Sequence, residues 1–189
     1  MKIALAGPAG TGKSKVAESI SNEKGILFLR AKEITNPILK RDGYDYSSGM
    51  KVEKFLQTIP RQMELLKKTK EMQSVSMFIT DRCFVDLAAY ALSSSETLDT
   101  ETIDKIVSDS KTYCLRYSHI YLFKLGKLLD NQKRTLCRNY QEMIYMLELG
   151  LLTDWGIPFT IIENNDLDPV PKVQRIINDV WTAVKQDAH

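Results

Sequence analysis

Hydrophobic positions along the chain fall into two kinds of run. Five short apolar runs, Lys2–Ala6, Ile26–Leu29, Met77–Thr80, His119–Phe123 and Phe159–Ile162, have the length and residue types of strands. Between them, apolar residues recur at three- and four-residue steps, the period of a helix with one buried face. Ser14–Ile20 reads as a helix directly after the first strand. Val52, Phe55, Leu56, Ile59, Met63 and Leu66 mark another, with Pro60 inside it to kink it or to start a new turn. Ile103, Ile106, Val107 and Ser110 mark a third. Leu136, Tyr140, Met143, Ile144, Leu147 and Leu151 mark a fourth that ends near Gly156, and Val173, Ile176, Ile177, Val180, Trp181 and Val184 the last. Strands alternating with helices predict a three-layer α/β/α sandwich around a five-stranded parallel sheet. Residues 30–50 interrupt this order. Asn36-Pro37, Asp42-Gly43 and Ser47-Ser48-Gly49 are turn formers with little periodicity, so a mobile segment beside a site is expected there.

A length of 189 residues suits one α/β domain spanning 1–189 and leaves little room for a second. Apolar residues at 43% and charged residues at 26% are ordinary for a globular protein. A formal net charge of +2 gives no global basic field, so any phosphate binding must come from local placement of Lys and Arg. No apolar run has the length of a membrane span. Met1–Ala6 is too short for a signal peptide, and Cys83, Cys114 and Cys137 lack metal-binding spacing. Reduced thiols and a cytoplasmic location are therefore expected.

Candidate chemistry begins at Gly7-Pro8-Ala9-Gly10-Thr11-Gly12-Lys13-Ser14, which fits GxxxxGK[ST] between a strand and a helix. Such a loop needs Gly7, Gly10 and Gly12 because the backbone must wind tightly and aim several N–H groups at one anion. The amides from Ala9 through Ser14, Thr11 included, would line the cradle, and the helix dipole would face the phosphates. Lys13 supplies charge for the β- and γ-phosphates, and the Ser14 hydroxyl can ligate Mg²⁺. ATP and Mg²⁺ are thus expected. A guanine-reading NKxD motif is missing: Asn131-Gln132-Lys133-Arg134 breaks its spacing and Glu163-Asn164-Asn165-Asp166 lacks the Lys. A large AAA machine needs more chain, so size favours a kinase.

Asp81-Arg82 stands at the C-terminal end of the third strand, the sheet edge that also carries the phosphate loop. A carboxylate there can hold Mg²⁺ or its water, and the planar fork of an Arg can grip a phosphate. Thr80-Asp81-Arg82 followed by Phe84-Val85-Asp86-Leu87-Ala88-Ala89-Tyr90, together with the phosphate loop, resembles the P-loop nucleoside and nucleotide kinase group. That group includes thymidylate kinases, deoxynucleoside kinases and the AAA-like relatives of ribosylnicotinamide kinase, with small phage-encoded members. The resemblance implies that Asp81 and Arg82 serve the reacting phosphates or the acceptor. It also implies a lid at about 124–140 that brings Arg134 and Arg138, four residues apart, onto the transferring phosphoryl group. An ion pair between Arg138 and Glu142 on a solvated face is the plainer alternative. Gln57 and Arg61, again four apart, would contact the acceptor, with the Gln reading a base edge, or else stand as two solvated polar residues. Tyr44 and Tyr46 could stack on a base.

One departure from the deoxynucleoside kinase pattern bears on the acceptor. Where those enzymes carry a Glu as base after the second strand, this chain reads Leu29-Arg30-Ala31-Lys32-Glu33. A hydroxyl acceptor benefits from a base, whereas an anionic acceptor needs cations. Thymidylate kinases place an Arg in this region, so Arg30 tilts the expectation towards a deoxynucleoside monophosphate. Two rivals stay open. One is a kinase acting on 5-hydroxymethyl pyrimidines within DNA, and the other a P-loop switch ATPase that binds a protein partner. A homodimer is open as well.

Overall fold

A computed structural model of the protein describes residues 1–31, 33, 36–37, 40, 55–72, 77–126, 137–163 and 168–186. Its strands are β1 (Lys2–Ala6), β2 (Leu27–Leu29), β3 (Phe78–Thr80), β4 (His119–Phe123) and β5 (Thr160–Ile162), one for each expected run. They form one sheet in the order β2-β3-β1-β4-β5, and every neighbouring pair is parallel. The described helices are α1 (Lys13–Lys24), α2 (Ile59–Met72), α3 (Phe84–Leu92), α4 (Thr100–Cys114), α5 (Arg138–Asp154) and α6 (Val170–Gln186).

The two faces of β1 show why three layers form. Side chains alternate along a strand, so Ile3 and Leu5 pack with Val16, Ala17 and Ile20 of α1 and with Val173, Ile176, Ile177 and Val180 of α6. Ala4 and Ala6 point the other way, into a core built with α2, α3, α4 and α5. Alanines on that side let Phe84, Val85, Leu87 and Ile144, all buried, come close to the sheet. β1 lies between β3 and β4, at the switch point where connections leave to opposite sides. Loops following the strands there open a crevice at the C-terminal edge.

Two helices depart from their apolar pattern. Pro60 sits in the first turn of α2, preceded by the turn Gln57–Thr58, so it starts the helix. The buried positions of α5 are Gln141, Ile144, Tyr145, Glu148 and Leu152. Tyr140, Leu147 and Leu151 are only partly buried and Met143 is 41% exposed, so the apolar stripe expected there is not the face turned inward. Two polar side chains hold that inward face because of what α5 packs beside, as the site makes clear. No helix among the described residues is long and apolar enough to cross a membrane. Cys83, Cys114 and Cys137 are free thiols.

Candidate active site

β1 ends at Ala6, and the chain turns through Gly7 at φ 129°, Gly10 at 83° and Gly12 at 85°. Only glycine takes these values without strain. Gly7 is doubly constrained, because a Cβ there would lie 2.6 Å from the carbonyl oxygen of Phe123 at the end of β4. Gly12 is the N-cap of α1; its carbonyl accepts from the Lys15 and Val16 amides at 3.0 and 3.2 Å, and the amides ahead of them precede the helix ladder. The Thr11 hydroxyl donates to the Pro8 carbonyl at 3.0 Å and stiffens the loop. Lys13 folds back over it: Nζ donates to the carbonyl of Gly7, to that of Pro8 at 2.7 Å and to Thr11 Oγ1 at 3.3 Å. The loop has the winding an anion cradle needs, with its lysine drawn inside, and Lys13 is only 8% exposed.

Asp81 follows β3 directly and is buried. The Ser14 hydroxyl donates to its Oδ2, and the Ala31 amide donates to its Oδ1 at 2.8 Å. One carboxylate therefore joins the start of α1, the end of β2 and the end of β3. Ser14 and Asp81, the expected Mg²⁺ holders, stand together. A hydroxyl and a carboxylate side by side are hard oxygen donors of the kind Mg²⁺ takes alongside phosphate oxygens and water, so the residues fit the ion.

Arg82 lies over the ring of Tyr90, its guanidinium carbon 5.4 Å from the ring centroid, and its Nη1 is buried without a hydrogen-bond partner. Burial disfavours its charge, but Tyr90, Asp86 and Asp81 outweigh that and its pKa is raised. Burial pushes the Tyr90 phenol up to about 12. Asp86, in the first turn of α3, accepts from the Cys83 amide at 2.6 Å and so fixes the turn that carries Arg82.

From α5, Gln141 accepts the Ala9 amide at 2.9 Å, and Glu148 reaches the region of Lys13, Arg82 and Asp86 with no exposed surface. Burial first, then the charge of Asp86, raises the Glu148 carboxyl well above the usual carboxylate range. Burial likewise raises Asp86, against the pull of Arg82 and Lys13. The Lys13 ammonium is lowered by burial, with Asp86 opposing. Asp86, Gln141 and Glu148 had no assigned role in the sequence reading. The available signal was two polar residues two helical turns apart, in phase with Ile144 and Tyr145.

Other candidates lie apart from this cluster. Arg30, at the end of β2, is held by Glu18 of α1, stacks 4.7 Å over the Phe28 ring and lies 3.9 Å from Glu33. Gln57 and Arg61 are exposed, in the turn before α2 and on α2. Arg138 is exposed at the start of α5, with Nε donating to Glu142 at 2.9 Å, so the pair set against a lid role is formed. Arg134, Tyr44, Tyr46 and residues 127–136 of the expected lid lie outside the described residues.

The sequence profile of the AAA domain matches residues 2–168. The chain belongs to that family. No curated protein sequence matches it. Among solved structures, deoxyadenosine kinase from M. mycoides with bound dATP superposes with a TM-score of 0.60 at 16% identity, covering 95% of this chain and 99% of that one. Thymidylate kinase from Candida albicans gives 0.62 at 16%, covering 99% and 92%. Shikimate kinase from Acinetobacter baumannii in complex with shikimate gives 0.56 at 13%, covering 96% and 93%. At such identities the likeness is one of fold: this is a P-loop kinase fold.

Proposed function

We propose that the protein is an ATP- and Mg²⁺-dependent phosphotransferase whose acceptor is a nucleotide or nucleoside, a deoxynucleoside monophosphate foremost. The observation that carries this reading is the pairing of Ser14 with Asp81 at the mouth of the phosphate cradle, next to an Arg82 with an unpartnered nitrogen. A cradle alone suits any nucleoside triphosphate user. A strand-end acid on the metal side with a fork-shaped cation beside it adds the means to hold an acceptor.

In this reading the loop amides and Lys13 hold the β- and γ-phosphates, and Lys13 leaves the Gly7 and Pro8 carbonyls to do so. Ser14 and Asp81 would hold Mg²⁺, which offsets phosphate charge when bound. Arg82 grips the acceptor's phosphate in two-pronged fashion. Arg138 leaves Glu142 and joins Arg134 over the transferring group.

A hydroxyl acceptor, on a nucleoside or on a 5-hydroxymethyl base in DNA, is the second reading. The pairing of Arg30 with Glu18 favours it, because a dianion would first have to displace Glu18. The deciding experiment offers γ-labelled ATP with deoxynucleosides, their monophosphates and hydroxymethyl-containing DNA. Label transferred to monophosphates is expected. Transfer to DNA or nucleosides alone would move the acceptor class, and hydrolysis that no acceptor stimulates would favour a switch ATPase.

A further inference from the structure

Glu148 lies midway along α5 with no exposed surface, and neither of its carboxyl oxygens has a hydrogen-bond partner. Asp86 is equally buried; Oδ2 takes the Cys83 amide, the Gly7 amide also acts on the carboxylate, and Oδ1 has no partner within hydrogen-bond distance. Buried polar atoms are almost always paired; α3 and α5 pack against each other, and the Asp86 charge acts on Glu148. The charged and titratable groups facing them are Lys13 from α1, Arg82 from the turn before α3, Cys83 at the N-cap of α3, Tyr90 from α3 and Tyr145 from α5 itself.

Counting charge shows what the oxygens lack. Lys13 and Arg82 bring two positive charges, and Asp81 and Asp86 already act on both. An ionised Glu148 would be an excess buried anion with no donor, which is costly. A neutral Glu148 removes the excess and supplies one O–H, the donor that Asp86 Oδ1 lacks.

We propose that Asp86 and Glu148 share a single proton, held on Glu148 and donated to Asp86 Oδ1, and that Glu148 thereby acts as a positioning residue that keeps Lys13 and Arg82 available to phosphate. Their raised carboxyl affinities for protons agree with this. If both acids were ionised, Lys13 and Arg82 would be claimed from within the protein. When phosphates enter the cradle they add negative charge and draw Lys13 outward, so the pair holds its proton more tightly. At a pH where the pair is part-titrated, binding of MgATP should then take up protons from solution, a consequence that rests on the nucleotide reading above.

The sign for stability follows from linkage. A carboxyl whose folded pKa is raised binds its proton in the native state after the unfolded chain has released it. Its stabilisation is full below the unfolded pKa and is lost as pH rises through the folded value. The wild type should therefore melt at higher temperature as pH falls from about 8 to about 5, beyond whatever slope Glu148→Gln shows.

The test uses the full chain. In wild-type protein carrying ¹³C-labelled glutamate carboxyls, one resonance should report a protonated acid at neutral pH and vanish in Glu148→Gln. Calorimetry of MgATP binding in two buffers of different ionisation enthalpy, at the pH where that resonance is half-titrated, should show proton uptake by the wild type and less by Glu148→Gln. Glu148→Leu, which strands Asp86 Oδ1, should lower the folding equilibrium about five- to hundredfold. No protonated glutamate at neutral pH in the wild type would overturn the proposal, whether or not the variants fold. So would equal pH slopes and equal proton uptake in wild type and Glu148→Gln. A wild type that binds no MgATP would sink the nucleotide reading and the coupling to phosphate, while the resonance would still decide whether the proton is shared.

Discussion

Ser14 Oγ donates a hydrogen bond to Asp81 Oδ2, so the first turn of α1 and the end of β3 are locked through one carboxylate. Because Asp81 also takes the Ala31 amide, it is committed on both oxygens and cannot readily swing away to act as a base. In the proposed reaction it would hold charge in place. Asp81→Asn keeps an acceptor for Ala31 but loses the negative charge. Turnover should fall about a hundredfold or more with the fold retained, and raising Mg²⁺ should recover part of it. Arg82→Lys preserves charge and loses the fork, so acceptor use should suffer more than ATP binding. Steady-state kinetics against each substrate separates these outcomes. Unfolding of both variants would make the pair structural.

Lys13 is tucked against the Gly7 and Pro8 carbonyls, and its charge is felt by Asp86 and Glu148. A surface lysine contributes little to stability, but this one is buried. Lys13→Ala should abolish detectable transfer and also cost about 1–3 kcal/mol, since the Gly7 and Pro8 carbonyls lose their donor. Chemical denaturation beside a nucleotide-binding assay checks both parts. Unchanged stability would mean that the folded-back position of Lys13 carries no weight in the ground state.

Gln141 fixes the loop from behind through the Ala9 amide. Gln141→Leu removes that acceptor and should cost about 0.5–1.5 kcal/mol. For a chain of this length that lowers the melting temperature by a few degrees, about 2–4 °C per kcal/mol. A loop held less firmly should weaken ATP binding while a saturated enzyme turns over at a similar rate. Measuring Tm and ATP KM on the same preparation tests it. A fall in kcat with KM unchanged would place Gln141 at the transition state instead.

All five strands were legible because each is a compact apolar run, and the structure shortens three of them by one residue at the start. The glycine turn after β1 and the place of Asp81 at the end of β3 were legible because glycine and strand-end position are written locally. The buried face of α5 was not. Periodicity selects apolar residues, and Tyr140, Met143, Leu147 and Leu151 form a consistent stripe. The face turned inward instead carries Gln141 and Glu148, since it packs beside a polar loop and two cations. Nothing in a single sequence marks one glutamate as buried among solvated ones. The partner of Arg30 was hidden for a similar reason: Glu18 is on another element, and only the fold brings the two together.

That pairing sharpens the choice of acceptor. Arg30 is 40% exposed, and Glu18, its partner, is 48% exposed, so solvent screens their attraction and the pair is weak enough for a stronger anion to displace. If the acceptor is a monophosphate, its dianion competes with Glu18 for the guanidinium. Arg30→Ala should then raise the acceptor KM far more than the ATP KM. A hydrogen bond to a charged group contributes about 1.5–3 kcal/mol, which corresponds to roughly a ten- to hundredfold loss. Glu18→Gln should act in the opposite direction, releasing Arg30 and lowering the acceptor KM, by about twofold for an exposed pair. If the acceptor is a hydroxyl, no dianion meets Arg30, and both substitutions should leave the acceptor KM where it was. The two variants moving KM in opposite directions is a signature that simple destabilisation does not produce. An acceptor KM unmoved in both would remove Arg30 from the acceptor site and turn the assignment to a nucleoside or a DNA base.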